Sequence, residues 1–154
     1  MVDKSKIAEL VSIHLNDGMF LVDVTVSSLN VINIYIDSYN GLKIDDCARM
    51  SRHIEEKLDR NKEDYELYVS SPGLSRPFKV KDQYFKNIGR EIKVIINDGT
   101  ELKGTLKEAG PENILLETSS MEKVEGHKKK KTVFRDYNLD YNEIKIAKVI
   151  VSFK

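Results

Sequence analysis

Two of the chain's three prolines, Pro72 and Pro77, fall in the stretch Ser71-Pro72-Gly73-Leu74-Ser75-Arg76-Pro77. Proline has no amide hydrogen and a fixed φ, so neither position can lie inside a helix or a central strand. Pro72 and Gly73 suit the two central positions of a type II turn. The 154-residue chain must therefore break near its middle. The hydrophobic period differs on the two sides of that break, which divides the chain into an expected domain 1–77 and a second, 78–154.

Before the break, helical and strand periods alternate. Ile7, Leu10, Val11 and Leu15 lie at the i, i+3, i+4, i+8 spacing of one helix face, which predicts a helix over 4–17. Asp3 is its expected N-cap, Val2 and Ile7 form a hydrophobic staple, and Gly18 is the stop. Two alternating runs follow. Phe20, Val22, Val24 and Val26 are expected on one face, as are Ile32, Ile34 and Ile36. Asp23, Thr25, Asn33, Tyr35 and Asp37 take the other, giving an antiparallel pair with one dry and one wet face. Asn40-Gly41 leads to a second helix over 44–58, with Ile44, Cys47, Ala48, Ser51, Ile54 and Leu58 along one side. Asp45 and Asp46 occupy its first turn, where the helix dipole favours negative charge. A strand over 65–70 places Leu67 and Val69 on one face. Three strands with two helices on the dry face make a complete α+β layer.

After the break a short helix over 82–87 ends near Gly89, and only strands follow. Ile92, Val94 and Ile96 alternate up to Asp98-Gly99, a strong hairpin signal. Leu102 and Leu106 return, with Gly104 as a bend. Segments 114–117 and 132–135 read as further strands, and Val149, Val151 and Phe153 mark the last. Five short strands predict a small closed β-barrel. Residues 118–142 otherwise read as a long loop holding a lysine run.

Val, Leu, Ile and Phe account for 46 residues, enough for a folded core. The longest apolar run is Met19–Val22, far short of the ~20 residues of a membrane helix. Asp3 and Glu9 interrupt the start, where no secretory signal is visible. The single cysteine, Cys47, cannot form an internal disulfide, and a reducing cytoplasm is expected. Asp45-Asp46-Cys47 with Ser51 superficially resembles a metal or nucleophile site. A catalytic cysteine needs a base oriented by a third group, however, and Cys47 faces the apolar stripe. His14, His53 and His127 show no ligand spacing, and no phosphate loop or paired-cysteine motif is present. The reading is therefore a monomeric, non-enzymatic protein without cofactor, metal, membrane or small-molecule substrate.

Twenty-five basic and 25 acidic residues exclude a uniformly basic coat, but the charge is uneven. Residues 72–107 hold eight basic and four acidic side chains, and residues 121–135 hold six and two. Arg76 is held between two prolines' worth of rigid backbone, and a pre-organised guanidinium suits phosphate. The expected partner-contacting residues are Arg76, Lys79, Lys81, Arg90, Lys128, Lys129, Lys130 and Lys131. They would contact RNA backbone, since no base-reading signature accompanies them. Asp23, Asp37 and Glu66 on the wet face would repel RNA and suit a basic protein. The competing reading is a protein–peptide adapter whose barrel never touches RNA.

Tyr68-Val69-Ser70-Ser71-Pro72-Gly73-Leu74-Ser75-Arg76-Pro77 resembles the domain-junction motif of the bacterial ribosome maturation factor RimP family. Gly41, Asp45-Asp46-Cys47 and Ser51 are similar to the opening of that family's second helix. Glu143-Ile144-Lys145-Ile146-Ala147-Lys148-Val149 is similar to its last strand. Ser75 departs from the family's usual Asp. The resemblance implies an SH3- or Sm-like second domain. It also implies a non-enzymatic factor that binds the immature 30S ribosomal subunit and assists its late maturation. Read with the charge pattern, the expected partners are the small-subunit rRNA and a basic small-subunit ribosomal protein.

Overall fold

The computed structural model describes residues 1–126 and 128–151. They fall into two compact units that divide between Gly73 and Leu74. The first contains α1 (Lys4–His14), β1 (Met19–Val26), β2 (Val31–Ser38), α2 (Ile44–Lys57) and β3 (Glu66–Ser70). Its sheet has the order β1-β2-β3. β1 and β2 are antiparallel and need only a tight turn, whereas β2 and β3 are parallel and are joined through α2. Ile7, Val11, Ile32, Ile34, Ile36, Met50 and Ile54 are fully buried between helices and sheet.

Asp3 caps α1 as expected, accepting a hydrogen bond from the Ser5 amide at 3.0 Å. The helix ends at His14 rather than Asp17, because Leu15 is extended and packs into the core. The turn-forming Asn16-Asp17-Gly18 then reverses the chain, with Gly18 at φ 83°.

Two expected faces are corrected. In α2 the buried residues are Met50 and Ile54, with Cys47 and Leu58 packed beside them, while Ile44 is 88% exposed and Ala48 is exposed. Burying Met50 rotates the stripe away from Ile44 and Ala48. In β1 a bulge falls between Leu21 and Asp23. Leu21 pairs with Ile36 and Val24 with Ile34, so Met19, Leu21, Val24 and Val26 face the helices. Phe20 pairs with Asp37 and therefore lies on the opposite face, against the Tyr39 ring at 5.2 Å. One extra residue in one strand changes which side chains face the core.

The second unit contains α3 (Lys81–Lys86), β4 (Glu91–Ile96), β5 (Glu101–Ala109), β6 (Asn113–Glu122), β7 (Lys131–Asp140), a 3₁₀ turn at Tyr141–Glu143 and β8 (Ile144–Val149). Its five-stranded antiparallel sheet has the order β7-β6-β5-β4-β8. All five strands feed one core of Ile92, Val94, Leu106, Ile114, Leu116, Leu139 and Ala147. Tyr84 of α3 is buried with it and meets Phe78 and Tyr141 edge-on at 4.8 and 5.0 Å.

The expected long loop at 118–142 is instead mostly a hairpin. β6 and β7 pair continuously from Asn113↔Asp140 to Glu122↔Lys131. The last strand runs from Ile144 to Val149, so Val151 lies beyond it, and Phe153 lies outside the described residues.

Candidate nucleic-acid interface

The structural boundary sharpens the charge contrast. Residues 1–73 carry 8 basic and 13 acidic side chains, net −5, and residues 74–154 carry 17 and 12, net +5. The two units thus carry net charges of opposite sign, which favour different partners.

The segment entering the second unit is tied down by backbone. The Phe78 amide donates to the Ala147 carbonyl at 2.7 Å, beside β8. Buried Gln83 accepts from the Lys79 and Val80 amides. The exposed Lys79 side chain thus stands on a fixed backbone at the start of α3. Lys81 is held more firmly: its ammonium donates to the Pro111 carbonyl at 2.6 Å and lies over the Tyr141 ring. Its contacts are those of a strut between α3 and the β5–β6 turn. Arg76 and Arg90 are exposed, and Arg90 is fixed by backbone bonds to Asn87 and Leu106.

Lys128, Lys129, Lys130 and Lys131 stand at the tip of the β6–β7 hairpin, all exposed. Glu122, where pairing ends, lies six residues beyond the core residue Leu116, which is ~20 Å along a strand. The tip lysines and the α3 lysines therefore occupy separate places. The arm is braced by Arg135, whose guanidinium contacts Glu122 at 2.8 and 2.9 Å and holds that carboxyl below the usual carboxylate range.

Sheet register brings together a group that sequence reasoning missed. Lys93 of β4 lies directly opposite both Lys103 of β5 and Lys148 of β8. Three ammonium-bearing side chains thus share one rung across three strands. Cβ atoms of opposed residues are ~4.5–5.5 Å apart, and like charges so placed are destabilising. Lys93 is offset by Glu101 at 3.1 Å, but among the described residues no carboxylate is within ion-pair distance of Lys103 or Lys148. Ser75, Val149, Ile150 and Val151 line the same shallow groove, of about 280 Å³. Lys148 is 55 residues from Lys93 in sequence, and only knowledge of which strands are neighbours could have found the rung.

The outer face of the first sheet differs. Paired across it are Phe20 with Asp37, Asp23 with Tyr35, and Asn33 with Tyr68. Tyr68 is half exposed and its hydroxyl donates to Glu66 at 3.1 Å. Carboxylates and aromatics share this face, and no lysine or arginine sits at its paired positions.

The residues singled out for chemistry have structural surroundings. The Cys47 thiol is pushed above its usual pKa by burial and by the adjacent Asp46 carboxylate, the opposite of nucleophile activation. Asp46 accepts from the Lys43 amide at 2.9 Å, closing the first turn of α2. His14 and His53, unrelated by sequence spacing, stack at 4.2 Å with ring planes 5° apart. Parallel rings do not converge two nitrogens on one point, and among the described residues no three potential ligands cluster. His127 lies outside the described residues.

A family model described as the RimP N-terminal domain matches residues 10–75. A ribosome maturation factor RimP of Porphyromonas gingivalis is 40% identical over 152 residues, 98% of this chain and the whole of that protein. The chain belongs to the RimP family. Its RimP relatives in Flavobacterium psychrophilum and Christiangramia forsetii are 37% and 36% identical, over 99% and 96% of the chain. RimP similarity therefore extends over nearly the whole chain, across both units. The relatives bear the name of a maturation factor and not of an enzyme.

Proposed function

We propose that this chain is a non-enzymatic ribosome assembly factor of the cytoplasm that binds the immature small (30S) subunit and assists its late maturation. The observation that carries the reading is the division of charge between the two units, net −5 and net +5, in a chain similar along its length to named maturation factors. The basic unit faces rRNA, with Arg76, Lys79, Arg90 and the hairpin lysines Lys128–Lys131 contacting phosphates and Lys81 bracing their support. The acidic, aromatic face of the first sheet faces a basic small-subunit ribosomal protein, because carboxylates repel RNA and steer cations. No described helix is long and apolar enough to cross a membrane.

A factor that binds and leaves must prefer the immature particle, since equal affinity for both states shifts nothing. The test is gradient sedimentation of a cell extract. The chain should travel with free small subunits and be absent from mature ribosomes. Its presence in equal proportion on both would contradict the reading. A chain that ignores every ribosomal fraction would support the adapter reading instead.

A further inference from the structure

We propose that the outer face of the second unit is a track for single-stranded RNA, with phosphates on the Lys103–Lys93–Lys148 rung and a base stacked on Phe134. The proposal rests on the reading of the chain as an rRNA-binding factor and names the RNA form and the residues.

Register lays the track out. Lys148, Lys93 and Lys103 lie side by side on β8, β4 and β5. The β5–β6 pairing ends at Thr105↔Glu117, and just beyond it Lys103 of β5 and Ser119 of β6 line one groove. Ser119 in turn pairs with Phe134 of β7. One row thus crosses all five strands, Lys148–Lys93–Lys103–Ser119–Phe134, spanning ~19 Å at the usual strand spacing. Two grooves follow the row and share Lys103 and Ile150. One holds the three lysines, and the other, about 350 Å³, is lined by Gly104, Ser119 and Phe134.

The row combines the two elements of single-strand binding, a positive groove for the backbone and an exposed ring for a base. Phe134 is 63% exposed on the solvent side of a paired strand, which leaves a large apolar ring open to a partner. A duplex, whose bases are already stacked inside, would use the lysines and leave Phe134 idle. The carboxylates fix the direction. Among the described residues no carboxylate lines the lysine groove, although Glu101 pairs with Lys93 at 3.1 Å, whereas Glu91 and Glu117 line the Phe134 groove, and Glu117 is 4.0 Å from Lys107. Phosphates therefore belong at the lysine end and a base at the aromatic end.

The test uses the full chain and two probes, a short unstructured A/C-rich RNA and an RNA hairpin of similar length, with affinities measured by fluorescence anisotropy across a salt series. Phe134→Ala should weaken the unstructured probe roughly 5- to 150-fold, the range for one base–aromatic stack, with the salt slope unchanged. Phe134→Tyr should restore binding. Lys103→Gln with Lys148→Gln should lower the salt slope by about 1.4, two single-strand phosphate contacts. Ser75→Asp, which places a carboxylate in the lysine groove, should weaken binding in the same salt-dependent way. All four positions are at or near the surface, and circular dichroism of each variant checks its fold.

Equal binding of both probes with no effect of Phe134→Ala would overturn the track in favour of duplex contact. So would unchanged RNA affinity in a Phe134→Ala protein that no longer binds immature small subunits, which would make Phe134 a protein contact. Either result leaves the assembly reading standing. Failure of the unmutated chain to bind immature subunits at all would remove that reading itself.

Discussion

At position 47 a thiol fills space between α2 and the sheet, half-buried and packed against the core. Cys47→Ala should leave a small cavity and cost about 1 kcal/mol, below the usual large-to-small core losses. Urea unfolding measures the cost, and subunit binding should be retained. A stably folded Cys47→Ala protein that has lost binding would show that the thiol acts directly. Tyr84 gives a residue-scale prediction of pH dependence. Burial, with a contribution from Tyr141, pushes its hydroxyl up to about 12. The folded state therefore keeps this proton where the unfolded chain, with a tyrosine pKa of ~10, releases it. The stability it supplies is complete below pH ~10 and is lost as pH rises through about 12. Tyr84→Phe should flatten that alkaline loss of stability, as followed by urea midpoints between pH 9 and 12. An unchanged profile would place the titrating group elsewhere.

Elements divide into those whose period showed in the sequence and those whose surroundings hid it. α1, β2 and β3 were legible because each has one dry face, so apolar residues recur at the element's own period. β1 was legible as a strand but not in its facing, since Phe20 and Val22 continue the apolar alternation through the bulge and nothing local marks the slip. The β6–β7 arm hid for the opposite reason. Thr118–Glu122 and Lys131–Arg135 project beyond the core, most of both faces is wet, and no alternation is required. The sequence marks Gly104 as a bend or bulge, whereas the β5 bulge falls between Leu106 and Glu108 and Gly104 marks a close approach of two strands. A Cβ there would lie 2.3 Å from the Glu117 carbonyl oxygen, where β5 and β6 close together. Because the obstacle is backbone, Gly104→Ala should cost about 2–3 kcal/mol through forced strand separation. A thermal midpoint equal to that of the unmutated chain would show that the strands yield without penalty. The site was less legible than the fold. The lysine run at 128–131 is visible in any reading, but the rung of Lys93, Lys103 and Lys148 depends on which distant strands become neighbours.

In the whole molecule, charge is sorted by unit, and under the proposed function each unit would meet a different chemistry. A basic unit of net +5 is attracted to any RNA, so its attraction alone gives no preference for one particle. Preference requires that the acidic face of the first sheet and the basic unit engage RNA and protein features together, as an unfinished particle presents them. The measurement that tests this account most directly is the affinity of the intact chain for purified immature and mature small subunits across a salt series. The account predicts tighter binding to the immature particle at every salt concentration. With about three to five phosphate contacts, a fourfold rise in salt should weaken it roughly 20- to 500-fold. Equal affinity for the two particles, or affinity for the immature one that ignores salt, would contradict it.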